Sequence, residues 1–454
     1  MMNIDGILKV LPGVKEPKAA VPFNKRLMWT FTGLLIFLLM GQIPVAGTAP
    51  AIFERLQAIQ MILGSKIGTL ATLGIGPIVM ASIILQLLVG SGIISWDLNS
   101  WEGRARFIGV QKLLAFFFCF FEAAAWVLSG ALTPKLPHLA LLLIFQLAIG
   151  GIIILFLDEL ISKWGIGSGV SLFIAAGVSQ AIFIRLFSWY SINQMPAGEV
   201  PRLLFALTTG NLQLAAQALI PILSTILVFL LVVYANGIKV EIPLAFASFK
   251  GFGRRWPLNF FYTSNIPVIF AAALLANLHM WGAMLYSKGI PLLGEFDESG
   301  QAISGLAYLL SPPHNLLTSI LFGAATSDMI IRGLCYSLAM IILSTIFSIF
   351  WVNTSGMDAK SVARQIESIG MQVPGFRRDP RILEKVLDRY ITPLAVLGGA
   401  AVGALAALAD FIGALGTGTG ILLTVMIIYN FYENLATRYL EEMNPMIRKF
   451  FEIK

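Results

Sequence analysis

The chain has 454 residues, of which 57% are hydrophobic and only 12% are charged. An ordinary soluble domain is roughly 25% charged, so this composition excludes a water-soluble globular protein and indicates a chain solvated mainly by lipid. The formal net charge is +7, and the placement of the basic residues therefore reports on orientation in a membrane.

Ten apolar segments are each long enough for a membrane-spanning helix, which needs ~20 residues. The first follows a polar, basic stretch, residues 1–26, and is too long for the apolar core of a cleavable signal peptide. These segments predict an all-α integral membrane protein. The predicted spans are 27–46, 69–90, 107–131, 139–161, 169–189, 214–236, 260–286, 333–352, 391–411 and 419–437.

Lysine and arginine lie mostly on one side of this predicted topology. With the N-terminus in the cytoplasm, 24 of the 31 basic residues fall on the cytoplasmic side. The positive-inside rule therefore predicts a multi-pass membrane protein with both termini in the cytoplasm.

Two basic loops on the predicted cytoplasmic side are longer than a simple connection requires. They cover residues 236–257 and 353–390. One interpretation is positive-inside topology with attraction to anionic lipids; the other is docking of a large acidic partner such as ribosomal RNA. Loop length favours docking. The basic residues of these loops include Lys250, Arg254, Arg255, Arg377 and Arg378.

The ten spans divide into two sets of five, which gives the two halves opposite topology, as in inverted repeats around a central pathway. The second span of each half opens with helix-breaking residues, Gly74 to Pro77 and Ser264 to Pro267. Glycine and proline are common in membrane helices generally, but the matched positions favour a functional role. The predicted divisions are a cytoplasmic segment (1–26), a first half (27–235), a basic loop (236–257), a second half (258–437) and a cytoplasmic tail (438–454).

Residues 51–65, between the first two spans, are too few to cross a bilayer. Apolar side chains recur at helical spacing along one face of this segment. It can lie in the membrane interface or fold back into the protein, and the residue pattern leaves both open. The recurring apolar residues are Ile52, Leu56, Ile59 and Leu63.

Few ionisable residues fall inside the predicted spans. Glu122 lies well within the third span, where a charge costs ~2.5 kcal/mol or more, so it is expected to face other helices or water. Asn277, in the seventh span, is a natural hydrogen-bond partner for it. Asp158 and Asp410 lie near span ends and are expected to reach the membrane interface.

The sequence contains no recognisable catalytic constellation. The two cysteines, Cys119 and Cys335, lie inside apolar runs without metal or redox spacing, and the three histidines are scattered. Neither an enzyme nor a metal or cofactor site is expected. A secondary transporter of small solutes fits ten spans in inverted halves, although coupled transport usually requires more buried carboxylates than Glu122 alone.

Several segments, in order and spacing, resemble the SecY family, the large channel-forming subunit of the Sec protein translocon. The resemblance covers residue 20 to the C-terminus. Its form is archaeal or eukaryotic rather than bacterial, and an archaeal member is the preferred interpretation. The matching segments are Gly68–Val79, Ile83–Gly90, Gly165–Ile174, Ser264–Ile269, Pro374–Arg377 and Phe411–Thr424.

The resemblance implies a fold in which two inverted five-helix halves surround an hourglass-shaped pore closed by a ring of aliphatic side chains. It places Ile75, Val79, Val170, Ile174, Ile269 and Leu423 in that ring. It assigns the segment 51–65 as a short plug helix that closes the pore from outside. The plug residues are Ile52, Phe53, Leu56, Ile59 and Leu63.

The resemblance also implies a lateral gate between the second and third spans and the seventh and eighth. Glu122 and Asn277 match its polar cluster, although Met80 stands where the family often has a hydroxyl residue. The expected function is a passive, gated channel that translocates secretory proteins and inserts membrane proteins. Expected partners are SecE-type and SecG or Sec-beta-type small membrane subunits, the ribosome, signal sequences, nascent polypeptides and anionic lipids.

Overall fold

Ten long helices follow one another in the order of the predicted spans. A computed structural model describes residues 11–19, 21–48, 68–96, 98, 100–130, 132–189, 191–192, 195–246, 253–297, 301–313, 316–321, 323–368, 371–372 and 380–442. The long helices within these residues are α1 (Phe23–Met40), α2 (Gly76–Gly90), α3 (Trp101–Leu128), α4 (Ala140–Trp164), α5 (Gly169–Phe187), α6 (Leu212–Asn236), α7 (Ile266–Ser287), α8 (Ser327–Thr354), α9 (Pro380–Phe411) and α10 (Gly418–Glu442). The predicted ten-helix fold is confirmed.

Length and apolarity agree with a membrane-spanning bundle. In the described part of the chain, the seven helices α3 to α9 are long and apolar enough to cross a membrane. Helix α2 is apolar but has only 15 residues. Its brevity follows from the residues before it, 69–75, which were predicted to belong to the span but precede the helix in a non-helical, turn-rich conformation.

The second helix of each half begins in the same unusual way. Gly74, two residues before α2, has a φ of 54°, and Ser264, two residues before α7, has a φ of 56°. This left-handed conformation is sterically costly for serine. A proline then occupies the first turn of each helix, Pro77 in α2 and Pro267 in α7. Both helices therefore start later than predicted. The two halves share a backbone conformation that only some of their residue types indicate.

Paired glycines bring a neighbouring helix against each of these turns. A Cβ atom on Gly150 of α4 would lie 1.9 Å from the carbonyl oxygen of Leu70, and one on Gly398 of α9 would lie 2.6 Å from that of Phe260. Leu70 and Phe260 each precede the left-handed residue of their turn by four positions. Only glycine permits so close a backbone approach.

The two basic loops contain more secondary structure than predicted. In the first, β3 (Lys239–Phe246) and β4 (Gly253–Asn259) form an antiparallel hairpin, which β5 (Met371–Gln372) of the second loop extends. The second loop also contains the helix Ala359–Ser368, and α9 begins at Pro380 rather than near residue 391.

A small apolar core explains this structure in the basic loops. Ile242 and Leu258 of the hairpin pack with Ile366 of the short helix and Leu387 of α9. Apolar residues alternate with polar ones at the start of β3, a period-two pattern typical of a strand with one covered face. The loops therefore form a folded unit at the end of the bundle where the odd-numbered helices begin, hereafter the basic end.

Shorter elements complete the described chain. A short antiparallel hairpin with two residues in each strand, β1 (Ser191–Ile192) and β2 (Met195–Pro196), precedes the helix Glu199–Thr208. The helices Gly305–Leu309 and Leu316–Leu321 lie between α7 and α8. Helix α8 begins at Ser327, earlier than predicted, and includes Arg332, whose side chain donates to the Ser311 carbonyl at 2.9 Å. Satisfaction of this guanidinium allows a helix to extend past a charged residue.

Candidate functional site

The six aliphatic residues predicted to form a ring lie within one contiguous apolar cluster. Five of them are at most 6% exposed, and Val170 is partly buried against the same cluster. They come from four helices or helix starts, and α2 contacts α7 while α5 contacts α10. The residues that belong to this cluster or pack against it are Ile75, Val79, Val170, Ile174, Ile269 and Leu423.

Two pairs of ring residues occupy equivalent positions in the two halves. Val79 and Ile269 each follow the proline of the second helix of their half by two residues. Ile174 and Leu423 each follow the first residue of α5 and α10 by five. Because the halves have opposite topology, equivalent positions converge on the middle of the bundle.

The ring is asymmetric in its other two members. The position equivalent to Ile75 is Asn265, and the position equivalent to Val170 is Thr419. Both polar residues are buried, with 4% and 2% of their surface exposed. Four aliphatic members therefore come from the first half of the chain and two from the second.

Aspartate side chains hold the first turns of α5 and α10 in place. Asp158 of α4 accepts a hydrogen bond from the Val170 amide at 2.8 Å, and Asp410 of α9 accepts one from the Thr419 amide at the same distance. Free amides at a helix start are satisfied in this way by a carboxylate. A ring residue follows one turn later in each helix. Both carboxylates therefore cap a helix, and their location at the membrane interface stays a prediction.

The aspartate of the second half joins a larger network. The Tyr336 hydroxyl of α8 donates to Asp410 Oδ2 at 2.7 Å, and the Thr419 hydroxyl donates to the same oxygen. Asp410 therefore connects α8, α9 and α10. Asp158 also accepts hydrogen bonds from the Gly169 amide and the Ser162 hydroxyl. The sequence contains these aspartates, but their partners become apparent only when helices separated in sequence pack together.

Glu122 and Asn277, predicted to form a polar cluster, are both buried in the bundle, with 2% and 5% of their surface exposed. They lie on α3 and α7, which contact each other, and the ring of Phe121 meets that of Trp281 edge-on with centroids 6.5 Å apart. Asn277 Nδ2 donates to the Ala273 carbonyl at 2.9 Å, and Glu122 Oε1 has no hydrogen-bond partner among the described residues.

A further buried polar side chain, Gln86, belongs to the same region and was not predicted. It lies on α2, which contacts both α3 and α7, and is 3% exposed. Its Oε1 has no partner among the residues that the structure describes. Its isolation in the apolar run Ile83–Gly90 is the signal that would have found it. Met80, on the same helix, lies in the apolar cluster and supplies no hydroxyl.

A seam runs between the helix pairs α2/α3 and α7/α8. Helix α2 contacts both α7 and α8, and α3 contacts α7. At the basic end, Gly90 of α2 packs so closely on Phe350 of α8 that a Cβ atom would lie 2.8 Å from the aromatic ring. The Arg104 guanidinium of α3 lies near Gly356, which follows α8. The seam is therefore in contact at the basic end, and the Phe121–Trp281 pair keeps it in contact towards the opposite end.

The N-terminal segment is attached at the basic end. Glu159 of α4 forms ion pairs with Lys112 at 2.7 Å and with Lys163 at 2.8 Å. Lys163 also donates to the Val14 carbonyl at 2.6 Å, and the Trp164 indole donates to the Lys15 carbonyl at 2.8 Å. These contacts hold residues 14 and 15 against the end of α4.

Other predicted site residues belong to the segment 51–65 and the two basic loops. The predicted plug residues Ile52, Phe53, Leu56, Ile59 and Leu63 lie outside the described residues, as do Lys250, Arg377 and Arg378. Arg254 and Arg255 lie on β4, opposite Leu244 and Pro243 of β3. No group of three or more metal-binding side chains occurs in the described ranges.

Comparison with known proteins identifies the family. The SecY family model matches residues 69–432. The chain belongs to the SecY family. It is 49% identical to the protein translocase subunit SecY of Methanocaldococcus jannaschii and 45% identical to that of Methanococcus vannielii, with 99% of both chains covered in each case.

Solved structures give the same result. The chain superposes on the structure of a protein-conducting channel with a TM-score of 0.86 and 48% identity, covering 97% of this chain and 98% of the other. It is also similar to Sec61 in the canine ribosome–channel complex, with a TM-score of 0.82, 48% identity and the same coverage. Membership of this family, rather than of a transporter family, agrees with the use of Asp158 and Asp410 as helix caps.

Proposed function

We propose that this chain is the central subunit of a passive, gated channel that translocates proteins across the cell membrane and releases membrane segments laterally into lipid. The observation that carries the proposal is the convergence of six aliphatic side chains, from the starts of helices in two inverted halves, on one buried cluster. Family membership supports it.

The chemistry of the ring suits a seal that must also yield. A translocating polypeptide presents every kind of side chain, so a seal with fixed hydrogen bonds would retain some sequences. Aliphatic side chains form none, and a narrow apolar constriction excludes water and ions by dewetting. The near-complete burial of five ring residues supports a closed pore in this structure.

We place the lateral gate at the seam between α2/α3 and α7/α8. Buried polar atoms without described partners, on Gln86 and Glu122, lie on one side of it, and Asn277 lies on the other. An unsatisfied buried polar group costs about 1–3 kcal/mol, so these atoms weaken the closed seam relative to an apolar one. A signal sequence that binds the open seam then shifts the population towards it.

The proposed surroundings of the channel follow from charge and family. The basic end faces the cytoplasm, with both termini there, and Lys250, Arg254, Arg255, Arg377 and Arg378 dock a ribosome or motor partner. The segment 51–65 acts as the plug. Small SecE-type and SecG or Sec-beta-type subunits complete the channel, and anionic lipids contact its basic residues. The divisions 1–26, 27–235, 236–257, 258–437 and 438–454 are the corresponding functional units.

A direct test combines crosslinking with conductance. The chain is reconstituted with its two small subunits, and a stalled nascent polypeptide carrying photoreactive residues should crosslink to cysteines placed at Ile174 and Leu423. Replacement of either residue by asparagine should raise ion conductance in planar bilayers. Asparagine at Leu230 of α6, which is 57% exposed, is the control and should leave conductance unchanged. A nascent chain that reaches the far side without touching either ring position would refute the proposed pore.

A further inference from the structure

A glycine makes a close approach across the seam. Gly90 is the last residue of α2, and a Cβ atom there would lie 2.8, 3.1 and 3.4 Å from successive atoms of the Phe350 side chain. Its φ is not positive, so the backbone would accept any L-residue. What excludes a side chain at position 90 is the aromatic ring of the other half.

Two similar contacts elsewhere each stay within one half. A Cβ on Gly33 of α1 would meet the Ile161 side chain of α4 at 2.8 Å, and one on Gly282 of α7 would meet the Phe296 ring at 2.8 and 3.1 Å. The first pair lies in the first half of the chain and the second pair in the second half. The Gly90–Phe350 contact differs in joining the two halves, which must separate if the seam opens.

We propose that Gly90 and Phe350 are positioning residues that close the cytoplasmic end of the lateral gate, and that the absence of a side chain at position 90 sets how hydrophobic a signal sequence must be to open it. This inference rests on the proposed function, because it assumes that the seam is the gate. In this proposal the Gly90–Phe350 contact raises the free energy needed to open the seam, and the buried polar atoms further along the seam lower it.

The steric argument gives the direction of the effect. Ordinary van der Waals contact begins at 3.4 Å, so an added methyl group would require the seam to widen by at least 0.6 Å or the ring to move. The widened seam accepts the methyl group without strain, and only the closed seam is penalised. A perturbation that acts on one of two states shifts their populations. The Gly90→Ala variant should therefore open more readily.

Helix propensity makes the glycine more informative. Alanine is the best helix former and glycine is among the worst, so Gly90→Ala should stabilise α2 as an isolated element. A change in gating could not then be attributed to a weakened helix. Close approach to Phe350 is the reason that the structure provides for glycine at this position.

The contact lies where an arriving segment would first meet the seam. Gly90 ends α2 and Phe350 lies four residues before the end of α8, both at the basic end. The aromatic contact between Phe121 and Trp281 lies towards the opposite end. A hydrophobic segment that enters from the cytoplasm must therefore separate Gly90 from Phe350 before it reaches the buried polar side chains.

The test uses the full chain reconstituted with its small subunits in proteoliposomes. Two substrates differ only in their signal sequence, one strongly and one weakly hydrophobic, and the measured quantity is the ratio of weak-signal to strong-signal transport. Gly90→Ala should raise this ratio about fivefold or more, because the added methyl group overpacks the closed seam and destabilises it relative to the open seam. Adding Phe350→Ala leaves only the 3.4 Å contact, so the double variant should show no higher a ratio than Phe350→Ala alone.

Two controls separate gating from general loosening. Gly282→Ala creates a clash with the Phe296 ring inside the second half, and Gly33→Ala creates a clash with the Ile161 side chain inside the first half. Both should leave the ratio unchanged. An equal rise in Gly90→Ala and either control, or an unchanged ratio in Gly90→Ala, would overturn the inference while leaving the channel in place. Failure of the unmodified chain to transport even the strong-signal substrate would overturn the proposed function itself.

Discussion

Removal of the Asp410 carboxylate is the most informative perturbation of the ring's support. In the Asp410→Ala variant, the Thr419 amide, the Thr419 hydroxyl and the Tyr336 hydroxyl all lose their acceptor. Tyr336 and Thr419 are buried, at 5% and 2% exposure, so water cannot easily replace the carboxylate. Helix α10 would lose the contact that fixes its first turn, one turn before Leu423.

The expected loss can be estimated bond by bond. Hydrogen bonds to a charged group contribute ~1.5–3 kcal/mol each, but neighbouring contributions are not additive. For three bonds to one carboxylate we therefore expect a total of about 3–5 kcal/mol, less than the sum of the separate contributions. Asp410→Asn retains an acceptor for the Thr419 amide and should cost about half as much. Tyr336→Phe removes one bond and should cost ~1 kcal/mol.

The free energy of unfolding can be measured by steric trapping in lipid bicelles. The expected order of destabilisation is Asp410→Ala, then Asp410→Asn, then Tyr336→Phe, and the double variant Asp410→Ala/Tyr336→Phe should be no worse than Asp410→Ala. A cysteine at Leu423 should react faster with a water-soluble thiol reagent in Asp410→Ala than in the unmodified chain. A loss below 1 kcal/mol, or additive effects of the two substitutions, would refute the reasoning.

Two other predictions concern the turns that precede α2 and α7. Burial and the nearby Asp358 carboxylate raise the pKa of Tyr262 to about 12, above the ordinary value of ~10. Because the folded pKa is the higher one, the stabilising contribution of Tyr262 is complete below pH ~10. It is lost as the pH rises through about 12. Tyr262→Phe should flatten the pH dependence of the thermal midpoint in that window, and a flat profile in the unmodified chain would contradict this. Gly150→Ala places a methyl group 1.9 Å from the backbone carbonyl oxygen of Leu70, whereas Gly33→Ala meets only the flexible tip of the Ile161 side chain. Gly150→Ala should therefore lower the thermal midpoint more than Gly33→Ala. Equal shifts would contradict the close-approach explanation.

The long helices were predictable because lipid imposes a simple requirement on them. About 20 apolar residues must cross the bilayer whatever their neighbours are, so the apolar runs in the sequence are enough to predict that α3 to α9 exist. The starts of α2 and α7 were less predictable. Gly74 and Pro77 mark a break, but the turn that they produce depends on the backbone of α4 approaching at Gly150, a contact between segments far apart in sequence.

The polar contacts show the same division. Glu122 and Asn277 were predicted as a pair because each is a rare polar residue in an apolar span. The roles of Asp158 and Asp410 were missed because an aspartate near a span end is compatible with either water or a helix start. The hairpin β3–β4 was missed for a different reason. Its alternating pattern was present, but basic residues in a loop were attributed to topology and docking, and the strand period was not tested against them.

The inverted duplication has retained backbone geometry more faithfully than side-chain chemistry. Left-handed residues precede α2 and α7 at matching positions, and an aspartate caps both α5 and α10. Asn265, however, stands where the first half has Ile75. A tight turn depends on backbone groups that every sequence possesses, and a cap requires only one carboxylate in addition, so both tolerate divergence of the surrounding side chains. The ring does not have that freedom. Its apolar character must be supplied by particular residues, and the greater aliphatic share of the first half compensates for the polar positions of the second.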